Sequence, residues 1–192
     1  MTFLQAASSK APSLGALAVV AGLLGSGALV WTSTEAAFTA VVTNPGNSWT
    51  SGSVALTDDD TGSAMFTALN LSPGDTGTKC IKVTYGASQT ASVKMRGTQS
   101  GSLAQYVNLQ IEEGNGGSFN SCLGFSGNLI YNGTVQGFGT SATDFASGVG
   151  SWTPTGAAQT RTYRITYTLS PSTPNTQQSS TASADFIWEA HS

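Results

Sequence analysis

The chain has 192 residues, and Asp, Glu, Lys and Arg make up only 9 % of them, well below the roughly 25 % of ordinary soluble domains. The net charge is −3 and the seven Lys and Arg residues are scattered, so we expect no nucleic-acid partner. Hydrophobic residues reach 39 %, which argues against a disordered chain. The length allows one domain with a sizeable core once a leader is removed.

Residues 1–36 are predicted to be a signal peptide. Lys10 is the only charged residue before an apolar run from Leu14 to Val30, and small residues follow this run. Gly and Ser interrupt the run, which is shorter than the about 20 apolar residues of a permanent membrane span. We expect cleavage between Thr34 and Ala37, contact with the membrane through the leader only, and a single mature domain over 37–192. An uncleaved N-terminal anchor is the alternative.

The first half of the mature part contains four predicted strands. Phe38–Thr43 ends at an Asn-Pro-Gly break, and Val54–Leu56 precedes an Asp-rich turn. Met65–Leu71 is predicted to enter a type II turn at Pro73-Gly74, where Pro fixes φ and Gly permits a positive φ. Cys80–Tyr85, rich in β-branched and aromatic residues, is the strand that follows this turn.

Three later segments alternate apolar and polar residues with the period of two that indicates strands with one buried face. These are Thr90–Arg96, Tyr106–Glu112 and Thr160–Leu169. Shorter predicted strands are Asn128–Val135, broken at the hairpin-type Asn132-Gly133, and Ala184–Trp188. Residues 114–127 and 171–180 are predicted loops, and 141–149 is the only predicted helical turn. About eight to ten short antiparallel strands predict an all-β fold, a jelly-roll-like β-sandwich.

Cys80 and Cys122 are the only cysteines, and in an exported chain such a pair predicts a disulfide. Closing a loop of about 42 residues would contribute on the order of 3–4 kcal/mol to the free energy of unfolding. Two free thiols or an intermolecular link are the alternatives.

Three consecutive aspartates, Asp58, Asp59 and Asp60, are candidates for binding a hard cation such as Ca²⁺. Their spacing matches no EF-hand loop, and adjacent side chains point in different directions, so at most two would reach one ion. We favour a solvated turn and predict no metal or other cofactor.

Few residues support catalysis. Glu112 and Glu113 are neighbours on a predicted strand and face opposite sides, whereas glycosidases use carboxyl groups across a cleft. The single histidine, His191, leaves no His-Glu-x-x-His zinc motif and no Ser-His-Asp triad. We therefore predict that the protein is not an enzyme.

The stretch from the leader exit to Glu113 resembles the TasA/camelysin family of exported bacterial proteins, which a dedicated signal peptidase processes. The matching segments are Ala36–Thr39 after the apolar run, NPGNSWTSG at 44–52, Val54–Leu56, and Leu69–Gly77 with the strand after it. This covers roughly the first 60 % of the chain. The remainder is similar only in being rich in strands.

The resemblance implies a jelly-roll-like domain, secretion to the cell surface or extracellular matrix, and self-assembly into biofilm fibres. It also implies that an N-terminal donor strand leaves its own subunit and completes the sheet of the next copy. The residues at the matching positions are Phe38, Thr39, Ala40, Val41, Val42 and Thr43. An ordinary first strand, paired within its own subunit, is the alternative.

Two other functions compete with the structural one. A monomeric binding module would contact glycan or peptide through loops 114–127 and 171–180, with exposed Trp49 and Trp152 as platforms. A camelysin-like metallopeptidase ranks last, since the single His191 does not support that family label.

Overall fold

The computed structural model describes the backbone of residues 39–44 and all of residues 55–192. Within these residues the chain forms nine strands and one α-helix. The strands are β1 (Thr39–Asn44), β2 (Leu56–Asp58), β3 (Thr76–Tyr85), β4 (Ser92–Ser100), β5 (Val107–Asn115), β6 (Ser126–Thr134), β7 (Val149–Trp152), β8 (Gln159–Leu169) and β9 (Ser183–His191). Helix α1 spans Val135–Ser141, and short 3-10 turns span Ser102–Gln105 and Asn175–Gln177.

The strands form two antiparallel sheets. One has the order β1-β9-β4-β7 and the other the order β2-β3-β8-β5-β6. Side chains of both sheets meet in one hydrophobic cluster, in which the Tyr163 ring of β8 lies 5.3 Å from the Trp188 ring of β9. The all-β prediction is therefore confirmed, and the two sheets pack as a β-sandwich.

The alternating segments form strands as predicted. Val93 and Met95 of β4 are fully buried, as are Ile111 of β5 and both Tyr163 and Ile165 of β8. The residues between them face outward, because successive side chains on a strand point to opposite faces. The period of two in the sequence thus locates the core correctly.

The type II turn before β3 is confirmed, but the strand predicted to enter it is wrong. Asp75 N–H donates to Ser72 O at 2.9 Å, and Gly74 has φ +96°. Residues 64–71 instead form an irregular segment. Met65 inserts into the core and the Phe66 ring packs edge-on against Tyr167 at 5.1 Å, so this segment covers the sandwich rather than extending β3.

The helix precedes its predicted position. Thr134 caps α1 by accepting a hydrogen bond from Gly137 N–H at 3.0 Å, and Phe138 is fully buried against Tyr131 and Phe186. The burial of Phe138 places the helix at 135–141 instead of 141–149.

The predicted break at Asn132-Gly133 is also wrong, since β6 continues to Thr134. Among the described residues, no helix combines the length and the hydrophobicity of a membrane span.

The predicted loop at 114–127 is shorter than expected. β5 and β6 remain paired out to Gly114 opposite Gly127 and Asn115 opposite Ser126, which leaves residues 116–125 as the loop. A Cβ on Gly114 would approach Ser126 O to 2.1 Å, so the ladder requires glycine there.

Candidate functional site

Strand β1 lies at the edge of the four-stranded sheet. It pairs antiparallel with β9, from Thr39 opposite His191 to Asn44 opposite Phe186, and with no other described strand. Of the predicted donor residues, Thr39 to Thr43 lie in β1, whereas Phe38 lies outside the described residues. The strand runs one residue further than predicted, to Asn44. Within the single chain, β1 therefore completes its own sheet.

Strand β9 is held in place by contacts other than those with β1. Its other side pairs with β4 over nine residues, from Ser183 to His191, and its Phe186 and Trp188 belong to the core. On the opposite face Glu189 accepts a hydrogen bond from Arg96 Nε at 2.8 Å and contacts His191 Nε2 at 2.7 Å. β9 is therefore held in the sheet by contacts that do not involve β1.

The single histidine is part of this outer face. The His191 ring stacks on Phe145, with ring centroids 3.8 Å apart and planes 4° from parallel, and Lys94 Nζ lies 5.3 Å from the Phe145 centroid. His191 therefore packs and pairs with Glu189 at the β9 end.

A largely apolar groove of about 800 Å³ opens between the irregular segment 64–73 and residues 173–186. Val107, Leu109 and Leu169 form part of its wall. Leu69 at its rim is 80 % exposed. The sequence did not predict this groove, because it depends on segment 64–73 leaving the sheet.

The predicted disulfide between Cys80 and Cys122 is confirmed, with the two Cα atoms 5.2 Å apart. It joins β3 to loop 116–125. Two hydrogen bonds support the same connection: Asn120 N–H donates to Cys80 O at 3.0 Å, and Phe119 N–H donates to Asp59 Oδ2 at 2.8 Å. The loop is therefore tied to β3 through Asn120 and Cys122, and to the residue after β2 through Phe119.

The three aspartates do not form the solvated turn that we expected. Asp60 is 1 % exposed, while both oxygens of Asp59 accept backbone N–H groups, from Lys82 and from Phe119. Burial, followed by the neighbouring Asp60 carboxyl, raises the pKa of Asp58 to about 7. The alternation of β2 could have indicated this, since Leu56, Asp58 and Asp60 are spaced two residues apart.

Glu112 and Glu113 face opposite sides of β5, as predicted. Glu112 points outward and forms a two-pronged ion pair with Arg164, at 2.5 and 2.6 Å. Glu113 is 9 % exposed and faces inward, where Oε2 accepts Ser151 N–H at 3.1 Å and the Tyr163 hydroxyl at 3.4 Å. Burial, followed by the Glu113 charge, raises the pKa of Tyr163 well above its usual range.

Glu113 and Arg161 line a small polar cavity of about 330 Å³ between β5, β6 and β7. Arg161 Nη1 donates to Asn115 Oδ1 at 3.3 Å in this region. The two carboxyl groups of Glu112 and Glu113 thus do not converge on one cavity, and they do not form the pair that glycoside hydrolysis uses.

The predicted binding platform at Trp152 is wrong. Trp152 is only 3 % exposed, since its ring packs edge-on against Tyr85 at 6.5 Å and lies 5.9 Å from the Arg161 guanidinium carbon. The short strand β7 directs this ring inward. Trp49 lies outside the described residues.

No protein-family model matches this chain, and no curated protein is significantly similar to it.

Proposed function

We propose that this protein is a secreted structural protein of the bacterial cell surface or biofilm matrix, which polymerises by exchange of its N-terminal strand. The observation that carries the proposal is the placement of β1: an edge strand that pairs on one side, with β9, through a six-residue register. The same hydrogen bonds form equally well when β1 comes from a second copy, because the β9 edge is held independently by β4 and the core.

The connection between β1 and β2 has the length that exchange requires. Residues 45–55 separate the two strands, and 11 extended residues span at most about 40 Å. A domain of about 150 residues has a radius of gyration near 15 Å, so this linker reaches across to a neighbour. An exchange in which each copy gives its strand to one neighbour and accepts a strand from a different neighbour is a head-to-tail contact, which builds an open filament when the rotation between copies does not close.

The low charge of the chain is consistent with polymer formation. Edge strands of monomeric proteins are commonly protected by Lys or Pro, and β1, with the sequence TAVVTN, contains neither. We further propose, on the resemblance to the TasA/camelysin family, a jelly-roll-like domain, removal of residues 1–36 by a dedicated signal peptidase, and a non-enzymatic role.

The first experiment is electron microscopy and size-exclusion chromatography of the protein without residues 1–36. We expect filaments one domain wide. Deletion of Phe38–Thr43 should abolish filaments while the rest still folds. Filaments that persist after this deletion would contradict strand exchange.

A cysteine pair tests the register itself. Ala40 lies opposite Ala190, and directly opposite residues have the Cα spacing that a disulfide accepts. Oxidation of Ala40→Cys/Ala190→Cys before assembly should lock β1 onto its own β9 and prevent filaments. Oxidation after assembly should yield a covalent ladder of multimers.

Ala184 provides a matched control for this pair. It lies on the same strand β9 but opposite Gln99, about 20 Å along the strand from Ala190. The variant Ala40→Cys/Ala184→Cys should assemble normally and give no ladder. A ladder from this control, or none from the Ala190 pair in filaments, would overturn the register.

The apolar groove favours a second candidate function, a monomeric extracellular binding module. Its volume of about 800 Å³ is within the range of small-ligand sites. A monomer at high concentration in chromatography, together with ligand-dependent protection of segment 64–73 from proteolysis, would favour this module over the polymer.

A further inference from the structure

The end of β2 carries two acidic side chains on the core side of the sheet. Asp58 lies opposite Val83 in the β2–β3 ladder, and residues directly opposite share a face, which for Val83 is the fully buried one. Asp60 follows two residues later and is 1 % exposed. Buried carboxyl groups ordinarily have hydrogen-bond donors or a cation, since burial of an isolated charge is costly.

Only one oxygen of each carboxyl group is satisfied. Asp58 Oδ1 accepts Asp60 N–H at 3.3 Å, and Asp60 Oδ1 accepts Gly62 N–H at 2.6 Å. Asp58 Oδ2 and Asp60 Oδ2 are buried, and neither has a hydrogen-bond partner among the residues that the structure describes. Because Asp58 Oδ1 accepts from the backbone of Asp60, the two carboxyl groups belong to one local turn, and each has a buried oxygen without a donor.

Positive charge is also missing at this position. Across residues 55–192 the ion pairs involve Glu112, Glu189 and their partners, and none includes Asp58 or Asp60. Asp59 is not available as a further ligand, because backbone N–H groups occupy both of its oxygens. The pair therefore offers two free, inward-facing oxygens and a net negative charge.

We propose that Asp58 and Asp60 together bind one hard divalent cation, for which Ca²⁺ fits best, through their Oδ2 atoms. An all-oxygen donor set favours Ca²⁺ over softer transition metals. No group of three or more His, Cys, Asp or Glu side chains suited to a metal occurs in the described part of the chain. The remaining ligands of the six to eight that Ca²⁺ takes would be backbone carbonyls and water.

Thermal unfolding of the purified full chain tests this site. After treatment with EGTA, CaCl₂ at about 100 times its dissociation constant should raise the unfolding midpoint by about 5–10 °C. Titration calorimetry should give one ion per chain. The variant Asp58→Asn/Asp60→Asn should lose this rise, whereas Asp144→Asn, which removes one negative charge at an exposed carboxylate, should keep it.

The comparison of wild type and variant separates a cation site from a purely structural pair. No rise in the wild type would mean that the two carboxyl groups share a proton, which overturns the proposal. An equal rise in the double variant would place the ion elsewhere and also overturns it. If the double variant does not fold, Asp60→Asn alone should weaken Ca²⁺ binding at least about tenfold, and an unchanged affinity would contradict the site.

Discussion

Inward-facing carboxyl groups occur at two places in the five-stranded sheet. Glu113 lies on β5, whereas Asp58 and Asp60 lie at the end of β2 and just after it. The surroundings of the two places differ. Glu113 Oε2 receives two donors, Ser151 N–H and the Tyr163 hydroxyl, and shares a cavity with Arg161. The inner oxygens of Asp58 and Asp60 receive no donor from the described residues.

This difference shows that the free-energy cost of burying a carboxyl group depends on its hydrogen-bond partners and not on burial alone. A carboxyl group whose oxygen accepts from two donors is buried at moderate cost. Two carboxyl groups that face each other need a proton or a cation between them. The same change, from acid to neutral side chain, should therefore have opposite effects on stability at the two places.

The largest effect is expected for Glu113→Ala. It leaves Ser151 N–H and the Tyr163 hydroxyl buried without an acceptor and opens a small cavity, which should lower the free energy of unfolding by about 2–4 kcal/mol. Urea denaturation followed by tryptophan fluorescence measures this loss. A loss below that of Glu112→Ala, a change at the partly exposed neighbour on the outer face, would show that the inward contacts are not stabilising.

A gain of stability is expected for Asp60→Asn in EGTA. The amide keeps the acceptor for Gly62 N–H and supplies a donor to Asp58 Oδ2, so the free energy of unfolding should rise by about 1–2 kcal/mol. The measurement is urea denaturation of ion-free protein. A loss of stability in EGTA would show that the charged pair is already satisfied.

Tyr163→Phe isolates one of the donors to Glu113. The ring keeps its packing against Trp188, and only the hydroxyl is removed, so a loss of about 1 kcal/mol is expected. If Glu113→Ala is combined with it, the two losses should not add, because they share one interaction. Additive losses in this double-mutant cycle would show that the side chains of Tyr163 and Glu113 do not interact.

The smallest effect is expected for Glu112→Gln. Its ion pair with Arg164 lies on the outer face and is partly exposed, so the loss should be within about 0.5 kcal/mol and should shrink with added salt. Denaturation at low and high NaCl checks this. A loss as large as that of Glu113→Ala would remove the distinction between the two faces of β5.

The sequence predicted the parts of the fold that depend on local pattern. Alternation at Val93 and Met95, or at Tyr163 and Ile165, identifies buried faces without knowledge of the partner strands. The Pro73-Gly74 turn was equally local, since the φ preferences of these two residues specify its type.

Apart from the Cys80–Cys122 disulfide, the features that depend on distant partners were not predicted. The burial of Asp60 follows from the β2–β3 register, which places Asp58 opposite Val83 across 25 residues of chain. Met65 does not lie in a strand as predicted, because its side chain inserts into the core that distant strands form. The position of the helix depends on the packing of Phe138 against Phe186, and the inward orientation of Trp152 depends on β7. Local sequence does not reveal either contact.

The pinning of loop 116–125 determines where a protease can cut. A protease needs several residues in extended, accessible form, and this loop is held by the Cys80–Cys122 disulfide and by the hydrogen bonds of Phe119 and Asn120. Segment 64–71 has no strand pairing, and its Leu69 is 80 % exposed. Of these two segments, 64–71 should therefore be cut first, and the cut falls between β2 and β3.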